Sequence, residues 1–394
     1  MIVNELVEET QLKSKYVMIL GGSNFMGKDL LDVLVSRNSG YKVFIINRNK
    51  LHWNNEASAY YEHPNVKHYF GDRDSHIEFT KLLKYLTQRV KKETSNPDFK
   101  WDLVIDFCGY LRKEVKSVIR GLTNDLRLYV FISTDSIYDV CETSGLSCPV
   151  REEEAIRPTD NKKIADKAED EEYGHDKLKC EEYLRSHCSD LKSGFPYICL
   201  RLPDVIGPYD STGRFWTYML WIQKMAMWPV HSKREAEEKP LSFVFSKDVT
   251  RLVVSLLGKI GDKAFISKIH SESFNIGFEE NPTLNQFLQL IADAIKGGKI
   301  LFVNEKDLPK ICKPDVNKGK YFYPSVYCPH LNIEKAKEVL GWNSTDLKAA
   351  VQETAMFFVT ADKYLPEMKK VVQKIAKIQE YYSPEAVQNQ GTEK

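Results

Sequence analysis

The chain lacks several features that would have assigned it a class at once. It has no net charge to speak of: 56 Lys plus Arg stand against 55 Asp plus Glu in 394 residues. Bulk electrostatics therefore recruit neither nucleic acid nor an anionic membrane, although a local basic patch stays open. No stretch approaches 18 apolar residues, and the start, MIVNELVEETQLKSK, carries acidic side chains without an apolar core, so neither a membrane span nor secretion is expected. Its eight cysteines form no CxxC pair and sit mostly in apolar or helical contexts, which suits reduced thiols, a cytoplasmic location and no bound metal. No internal repeat is evident. What remains is an ordinary globular composition, 42% apolar and 28% charged, long enough for one large domain or two intimate ones.

The first half alternates strands with helices. YVMIL (16–20), a helix over 28–38 and YKVFIIN (41–47) form a βαβ unit of the usual length. A third strand ends in VKHYFGDRD (66–74). WDLVIDFCG (101–109) reads as a fourth and LYVFIST (128–134) as a fifth, with a helix after the third. Apolar strands separated by helices imply an α/β fold, a doubly wound parallel Rossmann sheet with ligands at the carboxyl ends of its strands. Later segments read as YICLRLPDVIGP (197–208), a strand into a Pro-Gly turn; an apolar helix over 215–228; a strand and helix over 243–257; a short strand at 273–277; and helices at 283–295 and 333–342, the last stopped by Gly341. The charged stretch 150–172 lacks apolar periodicity and reads as a mobile surface loop. The expected division is a dinucleotide-binding domain over 14–203, to which 243–277 returns, a smaller interwoven α/β substrate domain over 204–242 and 278–375, and a frayed tail over 376–394.

Five short stretches carry chemistry: GGSNFMG (21–27) after the first strand, Asp72 after the third, STDSIY (133–138) ending the fifth, YGHDK (173–177) opening a helix, and RLPDVIGP (201–208). In this order, and with FVFSKDV, FNIG and KAKEVLGW further on, they resemble the extended short-chain dehydrogenases/reductases, the NAD-dependent epimerase/dehydratase family, over roughly 16–360. The loop resembles the family's GGTxFxG branch, which includes chloroplast proteins that bind RNA.

In such a loop Gly21 permits the tight turn and Gly27 lets helix pack on strand, while Ser23, Asn24, Phe25 and Met26 offer backbone to a pyrophosphate on the helix N-terminus. Asn24 stands where a middle glycine is usual; it keeps its backbone N–H and tolerates left-handed φ better than other non-glycine residues. The second strand ends in Asn47-Arg48, where an acid would usually receive the ribose hydroxyls. A cation suits a 2′-phosphate, so NADP is expected, with NAD as the alternative.

The resemblance implies that Asp72 contacts the adenine edge, with a helix N-cap as the competing role. It also implies that Tyr173 is the acid/base, Lys177 its tuner and ribose anchor, and Thr134 the holder of a substrate oxygen. Spacing of i, i+4 puts Tyr173 and Lys177 on one helix face, and a nearby cation would lower the phenol toward the operating range. His175, between them, is expected to point away on the exposed face. The 39 residues from Thr134 to Tyr173 exceed the family's usual gap, the excess lying in the charged stretch.

Arg201, Arg214 and Tyr218 fall where the family's substrate domain contacts nucleotide phosphates, and Asp135 where the dehydratases carry their Asp. The Glu that follows it there is Ser136 here, which disfavours dehydration. The expected activity is hydride transfer on a nucleotide sugar, as an epimerase or oxidoreductase. A reductase of a non-sugar carbonyl and a non-catalytic RNA-binding protein on the same fold are the alternatives, and a homodimer is left open.

Overall fold

The structure is a computed structural model that describes residues 14–36, 40–48, 60–142, 146–190, 194–225, 227–230, 238–297, 301–304 and 330–361, with residues 369, 372, 373 and 376 beyond. Seven strands form one parallel sheet: β1 (Lys15–Leu20), β2 (Tyr41–Asn47), β3 (Val66–Phe70), β4 (Leu103–Asp106), β5 (Tyr129–Thr134), β6 (Tyr197–Leu202) and β10 (Glu272–Asn275). Across the sheet they run β3-β2-β1-β4-β5-β6-β10, and every pairing is parallel. This is the doubly wound Rossmann order. Its direction reverses between β1 and β4, and that reversal opens a crevice at the carboxyl ends of the two strands.

The apolar runs explain why the sheet forms. Val17 to Leu20, Leu103 to Ile105 and Tyr129 to Phe131 are fully buried, as strands covered by helices on both faces must be. One face packs Leu30, Leu31 and Leu34 of α1 (Phe25–Ser36) with Val249, Leu252 and Val253 of α7 (Ser246–Lys259). The opposite face packs α2 (His76–Glu93), α3 (Arg112–Leu122) and α5 (Glu172–Cys188), through Phe79, Leu83, Val115, Val118 and Leu184. A third apolar cluster joins α6 (Arg214–Met225), α9 (Leu284–Ala294) and α11 (Leu347–Thr360), with the Phe243 and Phe287 rings stacked 4.1 Å apart.

The strands were legible from their apolar runs, but several connections differ from expectation. The stretch 150–172 is not a loop throughout: it holds a 3-10 turn at Glu152–Glu154 and the helix α4 (Asn161–Asp170), capped by Asp160. No residue of α4 is buried, so it has no apolar stripe for a sequence reading to find. The Pro-Gly region carries a separate short strand, β7 (Asp204–Ile206), paired with β9 (Phe243–Phe245). The apolar helix stops at Met225, ahead of β8 (Met227–Val230), which pairs with β11 (Leu301–Asn304). A further helix, α8 (Lys263–Ile269), precedes β10, whereas α10 (Glu334–Leu340) falls where a helix was expected and ends on the left-handed Gly341. The six described cysteines are free thiols; Cys312 and Cys328 lie outside the described residues. No described helix is long and apolar enough to cross a membrane.

Candidate active site

The β1–α1 turn closes as its glycines require. Gly21 has a φ of 90° and donates its N–H to Ile46 O at 3.0 Å, while Gly27 donates to Asn24 O at 3.0 Å. A Cβ on Gly27 would lie 2.6 Å from Gly21 O and 2.7 Å from Gly22 Cα, so only glycine lets α1 start this close to the strand. The second left-handed residue of the turn is Phe25, with φ 44°, rather than Asn24. Ser23 is buried, and Asn24, Phe25 and Met26 are partly exposed at the helix N-terminus, where backbone N–H groups face a prospective anion. The cradle fits a dinucleotide pyrophosphate.

At the end of β2, Asn47 is held by its neighbours: its Oδ1 lies 2.9 Å from His68 Nε2 and its Nδ2 donates to the Tyr61 hydroxyl at 3.2 Å. Arg48 is exposed beyond it and acts electrostatically on Tyr110. Asp72 Oδ1 accepts from the Asp74 N–H at 3.1 Å, a local turn; the α2 cap position itself is Ser75.

The predicted Tyr, Lys and Thr do come together. Thr134 is close enough to act on the Tyr173 hydroxyl, and Lys177 Nζ lies 5.9 Å from the Tyr173 ring centre. Lys177 is buried, donating to Gly109 O at 2.8 Å and Ile132 O at 2.6 Å, with the Phe131 ring 4.7 Å away. The close approach has a local cause. A Cβ on Gly174 would sit 2.2 Å from Ser136 O, so glycine at this position lets α5 press against the turn after β5 that carries Thr134.

Tyr173 differs from expectation in its electrostatics. Tyr173 is 45% exposed, yet the surroundings of its hydroxyl, burial first and then Tyr110 and Asp135, push its pKa up, while Thr134 and Arg214 oppose this. The cation expected to lower it is instead spent on two carbonyls, and burial pulls the pKa of Lys177 down. Tyr173 therefore rests as a proton donor. Asp135 is also buried, its carboxyl pushed well up by burial and by the Asp204 and Asp139 carboxylates, and its Oδ1 accepts from the Thr134 hydroxyl at 3.3 Å.

Of the three residues placed by resemblance near a nucleotide phosphate, only Arg214 lies by this group. It forms an ion pair with Asp204. Arg201 is a core residue: Nε and Nη2 donate to Glu181, and Nη1 to the Tyr138 hydroxyl and Glu152 O, so all its nitrogens are engaged away from any substrate. Its place on the fully buried β6 dictated this. Tyr218 has no exposed surface and belongs to the apolar cluster of α6. His175 is not on the exposed face either; it is buried, with Nδ1 3.0 Å from Arg157 Nη1. The sequence reading missed Tyr110, whose ring lies 6.3 Å from that of Tyr173 and 5.1 Å from Lys177 Nζ. Its only signal was its place just past β4, at the switch point of the sheet.

Among the described residues no group of three His, Cys, Asp or Glu is placed to hold a metal ion. A Rossmann sheet with a glycine turn at its switch point and a Tyr–Lys pair beside it defines a class of dinucleotide-dependent enzymes. Residues 104–277 match the model of the NAD dependent epimerase/dehydratase family. The match runs from β4 to just past β10, and over that stretch the chain is similar to this family. No curated protein matches it by sequence. Solved structures share its fold at low identity. A UDP-N-acetylglucosamine 4-epimerase from Methanobrevibacter ruminantium, in complex with UDP-N-acetylmuramic acid, is 16% identical, with 89% of this chain and 99% of that one covered and a TM-score of 0.62. The Bordetella bronchiseptica enzyme WbmH, in complex with NAD+, is 17% identical, with 88% and 99% covered and a TM-score of 0.59. A dTDP-glucose 4,6-dehydratase from Bacillus anthracis, in complex with NAD, is 15% identical, with 89% and 98% covered and a TM-score of 0.58.

Proposed function

We propose that this chain is an NADP-preferring epimerase or oxidoreductase acting on a nucleotide sugar, with Tyr173 as its acid/base. The observation that carries the reading is the meeting of Tyr173, Thr134 and Lys177 at the end of β5, with Lys177 Nζ 5.9 Å from the Tyr173 ring centre. A nicotinamide dinucleotide, when bound, supplies or accepts the hydride. Gly21 to Gly27 would hold its pyrophosphate, Arg48 its 2′-phosphate and Lys177 its ribose.

Thr134 orients the substrate oxygen beside Tyr173, and Tyr173 exchanges the proton. Its resting protonated state suits donation to a carbonyl oxygen, so the site is poised to complete a reduction; oxidation of a hydroxyl needs the phenol acidified by a bound cofactor's positive charge. Ser136 is buried and offers no carboxylate, which favours epimerisation or simple oxidoreduction over loss of water. The fold neighbours bound to UDP-N-acetylmuramic acid and to NAD support the substrate and cofactor classes. The division into a cofactor domain, with 243–277 returning to it, and a substrate domain around the α6–α9–α11 cluster belongs to the same reading.

Melting temperature against NAD, NADP and a panel of nucleotide sugars tests it, since ligands that bind only the folded state raise the midpoint. NADP should give the larger dinucleotide shift, and at least one nucleotide sugar should add to it. Equal stability in every ligand would defeat the proposal.

A further inference from the structure

Helices α2 and α3 carry nine Lys and Arg against three Glu, in a chain whose cations and acids total 56 and 55. All three carboxylates are engaged. Glu78 pairs with Lys81 at 2.7 Å, and Glu93 with Lys67 and Arg89 at 2.8 and 2.7 Å. Glu114 is buried and accepts from the N–H groups of Tyr110 and Leu111. Asp125 matches Lys91 at 2.7 Å. Lys84, Lys92, Lys113, Lys116 and Arg120 form no ion pair among the described residues.

These cations share one face. On α2 the side turned to the sheet is Phe79, Leu83, Leu86 and Val90, and Lys81, Lys84, Gln88 and Lys92 follow one another along the opposite side at i, i+3, i+7 and i+11. On α3 Lys113, Lys116 and Arg120 stand at i, i+3 and i+7, away from the buried Val115, Val118 and Leu122. The helices lie side by side: Thr80 Oγ1 donates to Ser117 O at 3.3 Å, and a Cβ on Gly121 would meet Leu83 Cβ at 2.8 Å. Two adjacent rows of charge result, with about 5–6 Å of rise between successive members.

Such a face on a net-neutral chain acts at short range, within about 8 Å at physiological ionic strength. Five of its six outward cations are lysines, each a hydrated point charge on a flexible stem, which suits a layer of many headgroup charges better than a bidentate grip on one phosphate. Ile77 and Tyr85 stand beside the α2 row, 72% and 57% exposed. An apolar side chain and an amphipathic ring fit the headgroup boundary of a bilayer, whereas a polynucleotide backbone would leave Ile77 unused. We propose that the outer face of α2 and α3 docks on an anionic lipid surface and holds the protein there peripherally. Both helices start beyond the carboxyl ends of β3 and β4 and run back along the sheet, so docking along their length leaves the switch-point crevice uncovered.

Co-sedimentation of the full chain with vesicles of phosphatidylcholine alone, or of phosphatidylcholine and phosphatidylserine in equal parts, tests the proposal. The wild type should bind only the anionic vesicles, and more weakly as salt rises. Lys84→Glu/Lys116→Glu/Arg120→Glu should bind about tenfold or more weakly at an unchanged melting midpoint. Lys162→Glu/Lys263→Glu/Lys348→Glu makes the same change in net charge at exposed lysines of α4, α8 and α11 and should bind as the wild type does. Ile77→Ser/Tyr85→Ser should weaken binding and leave its salt dependence in place. A wild type that ignores anionic vesicles at low salt would overturn the proposal, as would equal loss in the two triple variants. Tighter binding to single-stranded RNA than to anionic vesicles, undiminished in Ile77→Ser/Tyr85→Ser, would overturn it in favour of a polynucleotide surface.

Discussion

Gly174→Ala separates geometry from helix propensity, because the two predict opposite signs. Alanine inside a helix is favoured over glycine by about 1 kcal/mol, so propensity alone makes the variant more stable. The structure says otherwise. A Cβ there would stand 2.2 Å from Ser136 O, 2.7 Å from Ser136 C and 3.1 Å from Ser136 Cβ. Restoring ordinary contact requires α5 and the turn after β5 to part by about 1 Å, and overpacking of this kind costs about 1–3 kcal/mol. The propensity gain offsets part of that, so the expected net loss is about 0–2 kcal/mol in a denaturant titration. Turnover should suffer more. Tyr173 rides on α5 and Thr134 ends β5, so the same displacement separates the proton donor from the oxygen holder, and a misplacement of about 1 Å can lower the rate by about 10². Denaturation midpoints and steady-state turnover on one preparation decide the matter. A variant with higher stability and undiminished turnover would refute the argument.

Three further outcomes follow from named contacts. Arg48→Asp should raise the NADP dissociation constant and spare or lower that of NAD; an unchanged NADP constant would remove Arg48 from the phosphate site. Glu181→Gln breaks the buried pair with Arg201 and should destabilise the fold by about 3–5 kcal/mol while leaving ligand affinity of the folded protein intact. Normal stability with lost nucleotide-sugar binding would return Arg201 to the substrate. Asp29 is buried on α1 and accepts from the Ser246 hydroxyl, and burial raises its pKa from 3.8 to about 7. A carboxyl raised on folding adds stability that is complete below its unfolded pKa, near 4, and is lost as pH rises to about 7. Asp29→Asn should remove that downward slope, seen as stability against pH from 4 to 8; the same slope in the variant would assign it elsewhere.

How far the sequence could be read depended on whether a residue's partner was local. The sheet was legible because Val17 to Leu20 and Leu103 to Ile105 are buried on both faces and leave continuous apolar runs. Tyr173 and Lys177 were legible because their relation is one helical turn. Arg201 was not, since an arginine after an apolar strand looks the same whether it faces a substrate or Glu181 across the core. Tyr218 sits on a helix that is apolar almost all round, which gives no sign of the face that is covered. The helix α4 lies beside α5 with none of its residues buried, and it left no apolar periodicity to read.

The central claim is that Tyr173 moves the proton that accompanies hydride transfer at a bound nicotinamide. Rapid mixing of the protein and NADP with nucleotide hexoses, followed by the absorbance of reduced nicotinamide, tests it most directly in the wild type and Tyr173→Phe. The account predicts a transient or net reduction in the wild type, and a rate lower by about 10² to 10⁴ in the variant with its NADP dissociation constant nearly unchanged. The same rate of reduction in Tyr173→Phe would contradict it.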